Sequence, residues 1–323
     1  MYKEKILNLI RASQAAFLSG EELARKTGIS RTMVWKYVKA LEREGFGIEA
    51  VPSQGYRIAS VPDILRQGDI TAGLKTKLIG REVHLLSSVS STNTLAMEMA
   101  AQGAAEGTVV VAETQTGGKG RRGRAWISPK GNLYLSVVLR PDIPMHKAPL
   151  ITLMAAVAAA TTITKAFGLE AGIKWPNDIL IAGRKVCGLL TEMSAEQDRI
   201  RHVVVGVGID VNMDPEALPP EVRALSTTLA AESGKKIDRT ALLRQLLREM
   251  DDWYRVFLND APAVLAEWTR LNITVGNRVA VSGAGETLAG LAQGIDDEGR
   301  LIVILDDGSR KTVAAGDVTI AKG

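Results

Sequence analysis

The stretch "EGTVVVAETQTGGKGRRGRAWISPKGNLYLSVVL", residues 106–139, decides how the centre of this chain folds. Its middle, Gly117 to Arg124, packs four glycines and four cations into eight positions. Gly118, Gly120 and Gly123 spell G-x-G-x-x-G, which in a dinucleotide-binding fold leads from a strand into a helix that meets a pyrophosphate. Here no helix opens: Pro129 and a β-rich run follow. A P-loop is excluded as well, because Gly118-Lys119 is followed by glycine rather than Ser or Thr. The segment therefore reads as strand, ordered loop, strand. Its glycines let the backbone approach a ligand closely. Lys119, Arg121, Arg122 and Arg124 suit a phosphate or a carboxylate. A basic loop that is merely solvated is the alternative.

The totals frame this loop. At 323 residues and 46% hydrophobic content, the chain can bury two or three domains. Forty basic against 36 acidic residues leave +4, room for a basic face without demanding a polyanionic partner. Cys187 is the only cysteine, which excludes an intramolecular disulfide and any multi-cysteine zinc site. His84, His146 and His202 form no metal-ligand pair at helical spacing. The N-terminus carries lysines within its apolar stretch and no cleavage site, so no secretory signal is expected. The apolar run from Ala148 is short of a membrane span and reads as a buried helix. A soluble, cytoplasmic protein is expected.

Upstream, "SGEELARKTGISRTMVWKYVKALEREG" from Ser19 has a turn at Thr27-Gly28 and Ser30 as a helix N-cap. Val34, Val38 and Leu41 then share one face, leaving Arg31, Thr32, Trp35 and Lys36 to project elsewhere. This is helix-turn-helix spacing, in which the second helix enters the major groove of DNA. Two short strands around Ser53-Gln54-Gly55 make a wing. A small helical interaction domain is the competing reading. Residues 63–75, after Pro62 and with two glycines, read as a linker. Residues 76–271 mix strands and helices, an α+β core. Residues 272–323 change to short alternating strands separated by tight turns, a small β-barrel.

Two further stretches bear on chemistry. "GIKWPNDILIAGRKVCGLL", residues 172–190, puts Lys185 and Gly188 on an apolar strand after a turn at Ala182-Gly183. A lysine there asks for an anionic partner, unless it only snorkels at the strand end. Ser91, Thr92 and Asn93 precede a helix, where they cap it or offer polar groups to a small ligand.

Together, Ser91-Thr92-Asn93, "GGKGRRGR", "KWPNDI", "RKVCGLL" and "GVGIDVN" resemble the bacterial biotin–protein ligases. With the N-terminal module, the chain is similar to the bifunctional form that also represses the biotin operon. The resemblance runs in order along essentially the whole chain. It implies an α+β multidomain fold: a winged helix-turn-helix over 1–62, a mixed α/β ligase domain related to class II synthetases over 76–271, and an SH3-like barrel over 272–323. The implied activity makes biotinyl-5′-AMP from biotin and ATP, then transfers biotin to a lysine of a biotin carboxyl carrier protein.

The same resemblance assigns residues. Ser91, Thr92, Asn93, Gln115, Lys119, Gly120, Arg121, Lys185 and Gly188 would bind biotin, with Lys185 and Arg121 catalytic. Arg121, Arg122, Arg124, Trp126, Asn177, Asp178 and Asp210 would meet ATP. Arg31, Thr32, Trp35, Lys36, Ser53 and Gln54 would meet operator DNA. Mg²⁺ is expected with ATP and no protein metal site is assigned. A homodimer is expected when the adenylate is bound, the adenylate acting as corepressor. Three positions depart from the commonest pattern: Lys119 stands for Arg, Ser90 for Asp, and Asp210 for the first Asn of G-x-G-x-N-x-N. A transcription factor with an inert sensing site and a lipoate–protein ligase are the competing functions.

Overall fold

The computed structural model describes residues 2–13, 16–197, 199–283 and 287–321. The chain forms two compact units, 1–64 and 65–323.

The smaller unit runs α1 (Tyr2–Ala12), α2 (Gly20–Thr27), α3 (Arg31–Arg43), β1 (Gly47–Val51) and β2 (Gly55–Ser60). Ser19 and Ser30 cap α2 and α3, accepting from the Glu22 and Met33 amides at 3.0 and 3.3 Å. Gly28, at φ 75°, ends α2 by donating to the Ala24 carbonyl. Ile6, Leu7 and Ile10 pack with Leu23, Val34, Val38 and Leu41 as one core. The expected wing is the β1–β2 hairpin. At its turn Gly55 is required, because a β-carbon would lie 2.0 Å from the Leu18 carbonyl oxygen.

The larger unit begins with α4 (Gln67–Thr71), β3 (Val83–Leu86), α5 (Thr92–Ala101), β4 (Val109–Ala112), β5 (Leu133–Leu139) and α6 (Pro149–Phe167). It continues with β6 (Gly172–Lys174), β7 (Asp178–Ile181), β8 (Arg184–Glu196) and β9 (Arg199–Ile209). Helices α7 (Pro220–Arg223), α8 (Leu229–Ser233), α9 (Arg239–Asn259) and α10 (Ala261–Leu271) follow. Strands β3 to β9 make a seven-stranded sheet, ordered β3-β4-β5-β9-β8-β7-β6, in which only β3 and β4 pair in parallel.

The alternation of β5 explains the layers. Leu133, Leu135, Val137 and Leu139 face the large core shared with α6, α9 and α10. Val138, with Val110 and Val204, packs instead under Ala96 and Ala100 of α5. The two faces thus carry different helices, and the α5 face is the less covered. Helix α6 with its preceding turn is long and apolar enough to cross a membrane, longer than the sequence run implied. It is instead the core helix, most of its length being buried.

The C-terminal strands are β10 (Arg278–Ser282), β11 (Thr287–Ile295), β12 (Leu301–Leu305), β13 (Arg310–Val313) and β14 (Asp317–Ile320). They form the expected small all-β module as an antiparallel sheet ordered β13-β12-β11-β10-β14. Its Val279, Val281, Leu301 and Val303 join the main core, and the Trp175 indole donates to the Gly299 carbonyl at 3.0 Å. Of the stretch 63–75, read as linker, residues 65–75 belong to this unit. Leu65 and Ile70 are buried, and the Leu65 amide donates to Glu113 at 2.6 Å. The Asp251 carboxylate of α9 takes the next three amides, Lys77 to Ile79.

Candidate active site

Strand register lays a row of residues across the α5 face. Tyr134 pairs with Gly208, Gly208 with Gly188, Gly188 with Asp178, and Asp178 with Lys174. Registered partners point to the same face, so β5, β9, β8, β7 and β6 each contribute one position. Beside it runs Ser136, Gly206 and Leu190. The glycines are the floor of a cavity of about 450 Å³. A β-carbon at Gly206 would lie 2.1 Å from Asn93 Oδ1, and one at Gly208 2.6 Å from Trp126 Nε1. Glycine at these two positions lets Asn93 and the Trp126 indole lie directly against the strands.

At the α5 end, Ser91 caps the helix, accepting weakly from the Thr94 amide at 3.4 Å. The cap reading of Ser91 therefore holds. Thr92 and Asn93 do more. Ser136 Oγ donates to Asn93 Oδ1 at 2.6 Å and shares a hydrogen bond with the Thr92 hydroxyl at 2.8 Å. Asn93 Nδ2 donates to the Leu190 carbonyl and Glu192 at 3.1 and 2.8 Å. Gln115 Oε1 accepts from the Thr92 amide at 2.8 Å, and Gln115 Nε2 donates to Ser128 at 2.9 Å. A hydrogen-bonded set of polar groups around the buried Thr92, Asn93 and Ser136 is a rigid surface for recognising a polar ligand.

The middle of the cavity is cationic. Lys185 Nζ lies 2.5 Å from Asp178 Oδ1 without the direction of a hydrogen bond, so the contact is a charge pair. It also sits 5.1 Å from the centre of the Trp126 ring. The Trp126 indole N–H is buried with no partner, a donor left for a ligand. Arg121 donates to Asn177 Oδ1 at 3.1 Å and to the Gly316 carbonyl at 3.2 Å. Burial pulls its pKa down, opposed by Asp317 and Asp178. Arg124 pairs with Asp317 at 2.6 Å. Asp210 lies on the same face as Gly206 and Gly208, buried, and accepts from Asn132 Nδ2 at 2.9 Å. Burial raises its pKa to about 7, with Lys185 pulling the other way.

The cavity brings together every expected biotin and ATP residue except Arg122. Arg122 has φ 56°, and Gly123 follows at φ 76°, so the chain reverses and neighbouring side chains diverge. Its guanidinium instead reaches the Ser282 and Gly283 carbonyls at 3.1 and 3.2 Å. Lys119 lines the cavity but is exposed. Lys174, Ser136 and Asp317 were not singled out from the sequence. A signal existed for Lys174, inside "KWPND", and for Ser136, an isolated hydroxyl in an apolar strand. No signal pointed to Asp317, some 190 residues from the loop it pairs with.

Mg²⁺ arriving with ATP usually takes only one or two protein carboxylates besides phosphate oxygens. Asp178 and Asp317 suit that. Among the described residues no cluster of three ligating side chains exists to hold a metal alone.

In the smaller unit, Arg31, Thr32, Trp35 and Ser53 border a groove between the start of α3 and the hairpin turn. Lys36 and Gln54 are exposed outside it. Trp35 is 51% exposed, unusual for its size in a module with a complete core.

Comparison with known proteins matches residues 85–210 to the Biotin/lipoate A/B protein ligase family. It matches 3–57 to an HTH domain and 274–320 to the Biotin protein ligase C terminal domain. The Bifunctional ligase/repressor BirA of Bacillus subtilis is 39% identical over 97% of each chain. That of Escherichia coli is 29% identical over 94% of this chain and 93% of that one. Among solved structures, the biotin protein ligase from Aquifex aeolicus in complex with biotin and ATP superposes with a TM-score of 0.65. It is 26% identical and covers 75% of this chain and 100% of that one.

Proposed function

The chain belongs to the family of bifunctional biotin–protein ligases that are also repressors, and on that premise we propose which residues perform each activity. The protein is an ATP-dependent ligase that makes biotinyl-5′-AMP and passes biotin to a carrier lysine, and it is a biotin-responsive repressor. A biotin carboxylate oxygen bonds to the α-phosphorus of ATP as pyrophosphate leaves with the bonding electrons. The amine of a carrier lysine then attacks the acyl carbon, and AMP leaves. Two anions must meet, so cations that offset their repulsion lower the barrier and no side-chain nucleophile is needed.

In this reading Thr92, Asn93 and Gln115 meet the polar head of biotin on the glycine floor. Lys185 and Arg121 hold the carboxylate and α-phosphate. Trp126 packs at the nucleotide, Asp210 lies behind it, and Asp178 with Asn177 orders Mg²⁺–ATP. The carrying observation is the gathering of the Thr92–Asn93–Gln115 network, in which Thr92 and Asn93 are buried, and the Lys185–Asp178 pair in one cavity. Radiolabel transfer from biotin, and separately from lipoate, to a carrier domain tests it. Biotin transfer alone is expected, whereas lipoate transfer or no transfer refutes the reading.

We assign operator contacts to Arg31, Thr32, Trp35 and Lys36, with Ser53 and Gln54 on the wing. A chain starting at Leu65 should keep adenylate synthesis and lose operator binding, and a retained footprint would refute the assignment. A cytoplasmic setting and an adenylate-promoted homodimer belong to the same proposal, since dimeric repressors read two half-sites one DNA turn apart. The dimer is tested by sedimentation with and without biotinyl-5′-AMP.

A further inference from the structure

Most cations in the cavity already have partners. Lys185 has Asp178, Arg121 has Asn177 and the Gly316 carbonyl, and Arg124 has Asp317. Lys174 differs. It is half-buried at the end of β6 and lines the cavity, and its ammonium makes no hydrogen bond or ion pair among the described residues. Burial holds its ammonium below the ordinary lysine pKa, and Lys185 and Arg124 add to this against Asp178 and Asp317. A half-desolvated ammonium is costly unless an anion completes it. Lys119, the other cavity cation without such a partner, is exposed and has no such deficit.

The register says which anion. The buried polar network of Thr92 and Asn93 stands over β5 and β9, Lys185 reaches Asp178 between β8 and β7, and Lys174 ends the row on β6. With strands about 4.8 Å apart, Lys174 lies about 14 Å along the row from Gly208. Phosphoryl chemistry of this kind keeps attacking and leaving oxygens roughly in line. A carboxylate entering from the β9 end therefore expels its leaving group toward β6. Trp126 lies over Gly208 and Gly188, and Asp210, Leu225 and Ser226 also line the cavity.

We propose that Lys174 binds the β- and γ-phosphates of ATP and holds pyrophosphate as it departs. The step balances: the carboxylate–phosphorus bond forms, the bond from the α-phosphorus to the bridging oxygen breaks, and pyrophosphate carries the electron pair to Lys174. This rests on the ligase reading above.

The test separates the two half-reactions in the full-length protein. Lys174→Gln should raise the KM for ATP in biotin-dependent ATP–pyrophosphate exchange by about tenfold or more, and weaken pyrophosphate inhibition by a similar factor. Lys174→Arg, which keeps the charge, should restore most of both. Transfer from purified biotinyl-5′-AMP to a carrier domain involves no pyrophosphate and should stay within about twofold of wild type. An unchanged KM for ATP overturns the proposal, and so does an equal loss in transfer, which would put Lys174 at the adenylate or in the scaffold. Wild-type protein lacking exchange altogether would refute the ligase reading instead.

Discussion

Replacing Asp210 with Asn should change how stability depends on pH. The Asp210 carboxyl is 4% exposed and its one described partner is the Asn132 amide at 2.9 Å. Burial raises its pKa from 3.8 to about 7, while Lys185 offsets only part of that cost. The unfolded chain releases this proton near 3.8, whereas the folded chain keeps it to about 7. Across that window the folded state binds more protons, so stability falls as pH rises and levels off above about 7. Each unit is about 1.4 kcal/mol, so the step between pH 5 and pH 8 is about 3 kcal/mol. Asparagine keeps an oxygen for Asn132 and has no proton to lose. Urea unfolding followed by tryptophan fluorescence suits the measurement, because four of the five tryptophans lie in residues 65–323. The stability of the variant minus that of wild type should rise by about 3 kcal/mol from pH 5 to pH 8, other titrations cancelling in the difference. Parallel pH profiles would refute the buried-carboxyl account.

Lys185→Gln removes the cation that the proposal assigns to the carboxylate and α-phosphate, and should lower pyrophosphate exchange at least about a hundredfold, as loss of an oxyanion-type contact does. Near-normal exchange would make Lys185 structural. Arg121→Gly should loosen retention of the adenylate more than its synthesis, so avidin blots should show biotin on bystander proteins. Labelling no greater than wild type, with the carrier still modified, would refute a retention role. Arg239 is almost wholly buried, bonding Glu113 and the Asn132 carbonyl, each at 2.8 Å. Arg239→Ala strands the Glu113 charge and should cost about 3 to 5 kcal/mol in urea unfolding, while a loss near 1 kcal/mol would contradict a buried pair.

What was legible in the sequence was what local physics dictates. Ser19 and Ser30 cap their helices and Gly28 ends one, because a cap depends only on its immediate neighbours. The basic loop reads correctly as strand-loop-strand because Pro129 and a β-rich run sit within a few residues of it. Strand order was not legible. Neighbours β5 and β9 are separated in the chain by α6 and three strands, and no local pattern encodes their pairing. Lys174 was overlooked for the same reason. Its row with Asp178, Gly188 and Gly208 exists only once the register is known. Arg122, assigned by resemblance, is not among the residues lining the cavity: its φ is positive, and its guanidinium rests on the Ser282 and Gly283 carbonyls. The supposed linker misled through Pro62 and its glycines, which mark a turn without saying whether Leu65 and Ile70 find a core.

The charges also explain how the fold holds a loop with four cations. Arg121, Arg122 and Arg124 rest on the Gly316, Ser282 and Gly283 carbonyls and on the Asp317 carboxylate, all supplied by the C-terminal sheet or its turns. A basic loop held by protein oxygens has only to exchange partners when phosphate arrives, so part of the Coulomb gain from ligand is already spent. Affinity for ATP is then the difference between two sets of contacts. The largest surplus lies where no protein partner has to be given up. Among the described residues of the cavity, that half-buried position is Lys174, and the exchange experiment measures its surplus directly.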